Sequence, residues 1–124
     1  MSDVNKLQVD WQRREFDYAA IQSISMGDGA RLAVIDNGVD DSHEQLTGRV
    51  EKNVDVTGEN GIPGDHGTHV GGIAGATLKG LFPLMQLGDF KALNSQGSGT
   101  TSWVSQQIVN ACLLYTSPSP RDRG

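Results

Sequence analysis

The stretch Gly64–Ala76, GDHGTHVGGIAGA, sets two histidines three residues apart in a run made mostly of glycine, alanine and other small residues. Glycine inside a helix costs about 1 kcal/mol relative to alanine, so Gly71, Gly72 and Gly75 together oppose a helix here by roughly 3 kcal/mol. A helix that forms regardless must recover that by packing very closely against its neighbours. This describes a buried central helix, expected to run to about Leu78. His66 then stands in its first turn, where the positive helix end disfavours imidazolium and keeps the ring neutral and able to accept a proton.

Working outward, ARLAVID (Ala30–Asp36) is a short apolar run of the kind found in strands covered on both faces, stopped by Asn37-Gly38. It is expected to be a central parallel strand. An isolated DNG is most often a plain turn. At the carboxyl end of a parallel strand, however, loops converge and helix N-termini point, so reactive groups collect there, and Asp36 occupies that place. Ser42–Leu46 reads as one helical turn, Val50–Val56 as a weakly alternating strand, and TGENGIPGD as a loop. LMQLGDFKAL (Leu84–Leu93) is a second buried strand, and NSQGSGTTS is a glycine-rich loop offering Thr100 or Thr101 as an N-cap. Trp103, Val104, Gln107, Ile108 and Ala111 share one face of the helix that follows. A short helix over REFDYAAIQSI precedes the GDG turn. Strand, helix, strand, helix in this order implies right-handed crossovers and an α/β fold, a doubly wound parallel sheet with helices on both faces.

With 124 residues, 36% of them hydrophobic and 20% charged, the chain has the make-up of one globular domain or a piece of one. The net charge is −5 and the basic residues are scattered singly or in one pair (Arg13, Arg14), so no nucleic-acid partner is implied. No apolar run reaches the length of a membrane span, and the N-terminus lacks the apolar core of a signal peptide. The single cysteine, Cys112, precludes an internal disulfide. All 16 glycines fall from Gly27 onward, which marks many tight turns or close backbone approaches. The end of the chain, CLLYTSPSPRDRG (Cys112–Gly124), breaks the helical pattern, finishes in proline and arginine, and resembles the translation of a sequencing-library adapter. The expected organisation is an N-terminal extension over 1–27, a partial domain over 28–111 and a non-native tail over 112–124.

LAVIDNGVDDSH and DHGTHVGGIAG resemble the Asp and His signatures of the subtilisin-like serine proteases, the subtilases. GDFKALNSQGSGTTSWVSQQIVNA is similar to the strand, glycine-rich loop and helix that follow in that family. Three motifs in the family's order, over about Asp28 to Ala111, are far more specific than any one of them. The resemblance implies a truncated subtilisin-like fold and a serine endopeptidase acting on polypeptides through an Asp-His-Ser triad. By position, Asp36 orients the imidazole and stabilises its charged form, and His66 is the general base and acid. His69 matches a second, structural histidine. Gly97, Ser98 and Gly99 match the segment against which the family lays its substrate backbone as an added strand.

The family's nucleophile lies in a G-T-S-M-A-like motif that this sequence lacks, and the 124 residues are expected to be inactive alone. Asn37 stands where the family usually has Ser or Thr, and Gly71 where it has Ala. Gln45 stands where many members have a calcium-binding Asp, and the connection from Ala76 to Pro83 is short, so neither calcium nor another cofactor is expected. Asp40, Asp41 and Glu44 lack EF-hand spacing and are read as solvated loop charges. Two rival readings remain: a subtilase-like module that binds peptides without cleaving them, and a metal site at Asp65, His66 and His69, which lacks the glutamate and four-residue histidine spacing of zinc hydrolases. A dinucleotide site fails, because GDG precedes the strand and GSG lacks the third glycine. Compartment, whether extracellular or cytoplasmic, oligomeric state and substrate preference are left open.

Overall fold

The computed structural model describes residues 15–115; much of the expected N-terminal extension, and the tail from residue 116 onward, lie outside the described residues. After a short helix α1 (Tyr18–Ile24) come strand β1 (Arg31–Asp36), strand β2 (Val50–Asp55), helix α2 (Asp65–Gly75), strand β3 (Gln86–Lys91) and helix α3 (Thr101–Tyr115). The strands form a parallel sheet in the order β1-β3-β2. β1 and β3 run in step from Arg31 opposite Gln86 to Asp36 opposite Lys91. β2 pairs with the other side of β3, slips register between Val50 and Lys52, and ends with Asp55 also opposite Lys91. All three carboxyl ends therefore finish level, forming one rim.

Alternation along the strands distributes the core. Val34 and Leu87 point to one face, where they join Val39, Leu46, Ala76 and Met85. Helix α2 covers that face, with Gly75 against the Leu87 side chain. Phe90, Ala33 and Ile35 point to the other, where they meet Val54 and Ala111 of α3. Fully burying Leu87 and Phe90 contributes roughly 2 kcal/mol each. Helices on both faces of a parallel sheet make the doubly wound α/β fold expected from the sequence. No helix among the described residues is long and apolar enough to cross a membrane.

Several boundaries differ from the sequence expectation. Ala30–Asp36 is not central but an edge of the described sheet, whose middle strand is β3; the apolar run reports burial on two faces, not the number of neighbours. Helix α2 stops at Gly75, because Ala76 is extended (ψ 149°) and the chain then turns, with the Thr77 and Leu78 N–H groups drawn to the carbonyl and side-chain oxygens of Gln45. The guanidinium of Arg49 donates to the carbonyls of Gly75 and Met85, placing a cation at this helix end. Leu84 and Met85 precede β3 in a turn, with Leu84 N–H donating to Met26 O. On α3, Gln107 and Ala111 are buried but Ile108 is half exposed. The helix continues without a break through Cys112 to Tyr115. Thr100, not Thr101, is its cap, Oγ1 accepting from Trp103 N–H at 3.0 Å.

Candidate active site

Asp36 ends β1 and His66 is the second residue of α2, so the fold brings a strand's carboxyl end to a helix's amino end. His66 Nδ1 lies 2.7 Å from Asp36 Oδ2. The other carboxylate oxygen, Oδ1, accepts the Asn37 N–H at 2.7 Å. The carboxylate is 13% exposed and the imidazole 71%. An ionised carboxylate only accepts, so Nδ1 carries the hydrogen and Nε2 keeps its lone pair, on a ring open to an incoming group.

The loop after Asp36 is fastened to the start of α2 at several points. Gly38 turns the chain at φ +111°, a conformation side chains disfavour, and its carbonyl accepts from Gly64 N–H at 3.1 Å. Asn37 Oδ1 accepts from Gly67 N–H at 2.8 Å, and Thr68 Oγ1 from Asp40 N–H at 2.8 Å. The contact is close enough that a Cβ on Gly67 would come within 2.3 Å of the Gly38 carbonyl oxygen. Close approach thus accounts for Gly67, and for Gly75 against Leu87 at 3.2 Å, but not for Gly72, which has nothing within 4 Å. Gly71 would make only ordinary contact with Val39.

Behind Asn37 stands Lys91, almost wholly buried, whose ammonium donates to Asn37 O at 2.6 Å and pairs with Glu59 Oε1 at 3.0 Å. The hydrogen bond from Lys91, followed by those from Ser95, holds the Glu59 carboxyl below its ordinary value. Asp89, two residues before Lys91, is 4% exposed and its Oδ1 finds no donor among the described residues. Burial raises its carboxyl from 3.8 to about 6. A cavity of about 330 Å³ is lined by Asp89, Lys91, Asp55, Asn53 and the loop at Gly58–Gly61, and includes neither Asp36 nor His66. Gln107 reaches from α3 to the rim, its Nε2 donating to Val54 O and Lys91 O.

The remaining sequence-predicted residues lie elsewhere. His69 is exposed on α2, one turn beyond His66. Gly97, Ser98 and Gly99 are exposed in the loop after β3, where Asn94 accepts from Ser98 N–H through Oδ1 and donates its own N–H to Ser98 O. Among the described residues no three His, Cys, Asp or Glu side chains are grouped as a metal ion would require. At Gln45, both the backbone carbonyl and Oε1 already accept hydrogen bonds from Thr77 and Leu78. Sequence reasoning noted Asn37 only as a turn residue and a departure from the family pattern, and missed Lys91, Glu59 and Thr68. The one available signal was Asp89 and Lys91, two charges on the same face of an otherwise apolar strand pattern.

Comparison with known proteins bears on the family and the fold. The family model described as the subtilase family matches residues 27–122. A thermophilic serine proteinase of Bacillus sp. (strain AK1) is 39% identical over 67% of this chain and 23% of its own length. Thermitase of Thermoactinomyces vulgaris is 33% identical over 71% of this chain and 35% of its own. A cold-adapted subtilisin-like serine proteinase of known crystal structure superposes with a TM-score of 0.66 at 32% identity, over 75% of this chain and 35% of that one. The chain thus spans from 23% to 35% of the length of these relatives. Two motifs that meet at the strand rim, and a family model covering most of the sequence, lead to one conclusion: the chain belongs to the subtilase family.

Proposed function

We propose that this chain carries the Asp–His part of the catalytic triad of a serine endopeptidase. The observation that supports it is the 2.7 Å contact between Asp36 Oδ2 and His66 Nδ1. With Nδ1 committed to Asp36, Nε2 of His66 takes the proton of an attacking serine hydroxyl, Asp36 stabilises the imidazolium that results, and His66 returns the proton to the leaving amine as the acyl-enzyme forms. Polypeptide is the substrate class. Its backbone is read as adding a strand at Gly97–Gly99; because Ser98 spends both backbone groups and Gly97 its N–H on Asn94, the groups offered are the Gly97 carbonyl and those of Gly99. His69 is assigned a structural role. No calcium is assigned at Gln45, whose amide is neutral where the family's calcium ligand is a carboxylate and whose oxygens already accept from Thr77 and Leu78.

No serine of these 124 residues lies in the family's nucleophile motif, so the chain alone is expected not to cleave casein. The same residues continued into a complete domain are expected to cleave it, with His66→Ala lowering kcat by roughly 10⁴-fold to 10⁶-fold. Turnover by the 124-residue chain that His66→Ala abolished would overturn this reading.

A further inference from the structure

Helix α2 begins at a residue that cannot cap it. Gly64 occupies the N-cap position with an extended backbone (φ −122°, ψ 153°) that any residue adopts, yet it has no side chain to accept the N–H three residues on. That N–H, of Gly67, is instead taken by Asn37 Oδ1 at 2.8 Å, from the turn after β1. The Asn37 amide also fills the space where a side chain on Gly64 would stand: a Cβ there would fall 2.2 Å from Asn37 Cγ and 2.3 Å from Oδ1. The backbone groups of Asn37 are committed too. Its N–H donates to Asp36 Oδ1 at 2.7 Å and its carbonyl accepts from the buried Lys91 ammonium at 2.6 Å.

We infer that Asn37 is a positioning residue, a cap supplied to α2 from the Asp36 turn, which sets His66 at hydrogen-bonding distance from Asp36. The physical point is that a cap supplied within a helix fixes only where the helix starts. A cap supplied from the strand end that carries the carboxylate fixes where it starts relative to that carboxylate. One residue bonded to Asp36 on one side and to the neighbour of His66 on the other leaves little freedom between them. This rests on the Asp36–His66 reading above.

The test separates capping from positioning. In the 124-residue chain, urea unfolding reads stability, while imidazole ¹⁵N shifts at mildly alkaline pH read the ratio of the Nδ1–H to the Nε2–H form of His66, with exposed His69 as the internal reference. Asn37→Ala is expected to lower stability and to move the His66 ratio by about fivefold toward that of His69. Adding Gly64→Ser to Asn37→Ala places a local cap in the vacated space; stability is expected to return while the His66 ratio does not. A ratio unchanged in Asn37→Ala, or one restored by Gly64→Ser together with stability, overturns the positioning role while leaving the Asp36–His66 pair intact. An unsubstituted chain whose His66 ratio matches that of His69 overturns the pair itself and the inference with it.

Discussion

Helices α2 and α3 cover opposite faces of the same sheet and start in opposite ways. α3 is capped by its own preceding residue, Thr100, at an exposed site three residues from the N–H it serves. α2 starts at a glycine and receives its cap from Asn37, which lies 30 residues before the N–H it satisfies and is buried. A local cap makes a helix start independent of its surroundings, whereas the distant one ties the start to a strand end. Of these two helices, only α2 carries a residue whose place relative to another element the proposed chemistry depends on, and only α2 is tied in this way.

The sharpest way to break the comparison is Gly67→Ala. Its new methyl would meet the Gly38 carbonyl oxygen, so the loop or the helix must move, and a loss of about 3 kcal/mol in urea unfolding is expected. Nearly as large is the effect of the buried carboxylate beside this junction. Asp89 holds its proton in the folded state up to about 6 but releases it above 3.8 in the unfolded chain, so the folded state binds more protons between these values and stability falls as pH rises through them. The loss, complete above about pH 6, is at most about 3 kcal/mol, and Asp89→Asn is expected to remove the slope from a series of urea midpoints taken across that range. Asn37→Ala strands a buried N–H at Gly67 and is expected to cost about 2 kcal/mol; Thr100→Ala, at an exposed cap, is expected to cost about 1 kcal/mol. Equal losses at the two caps would remove the contrast. The smallest effect has the opposite sign: Gly72→Ala meets nothing within 4 Å and is expected to raise the unfolding midpoint, gaining up to about 1 kcal/mol of helix propensity.

Asp36 and His66 were legible in the sequence chiefly because the motifs around them resemble the subtilase signatures; the local pattern gave them places at the strand rim and the helix start but by itself left Asp36 a plain turn residue. An apolar strand that ends at Asn-Gly puts its last carboxylate at the rim, and a helix made of small residues must be packed closely. The glycine argument held unevenly. It located a closely packed helix, but Gly72 has open space, and the tightest approach within the helix is at Gly67, which composition alone could not single out. Ile108 and Gln107 show a related failure: helical spacing placed both on one face, yet the apolar residue is half exposed while the polar one is buried against two strand carbonyls. Periodicity identifies a stripe, and only the partner surface decides where along it water is excluded.

The sequence by itself determined the α/β class, the approximate elements, the paired motifs and the two residues proposed as the Asp–His pair, because these are carried by patterns within a few positions. Only the tertiary structure decided that β3 and not β1 is the middle strand, that Lys91 and Asp89 are buried side by side, and that Asn37 caps a helix beginning 28 residues away. Those features come from hydrogen bonds and close contacts between segments distant along the chain, where the donor and acceptor are each unremarkable in their own sequence. Their partnership exists only once the sheet has set the carboxyl end of β1 against the amino end of α2.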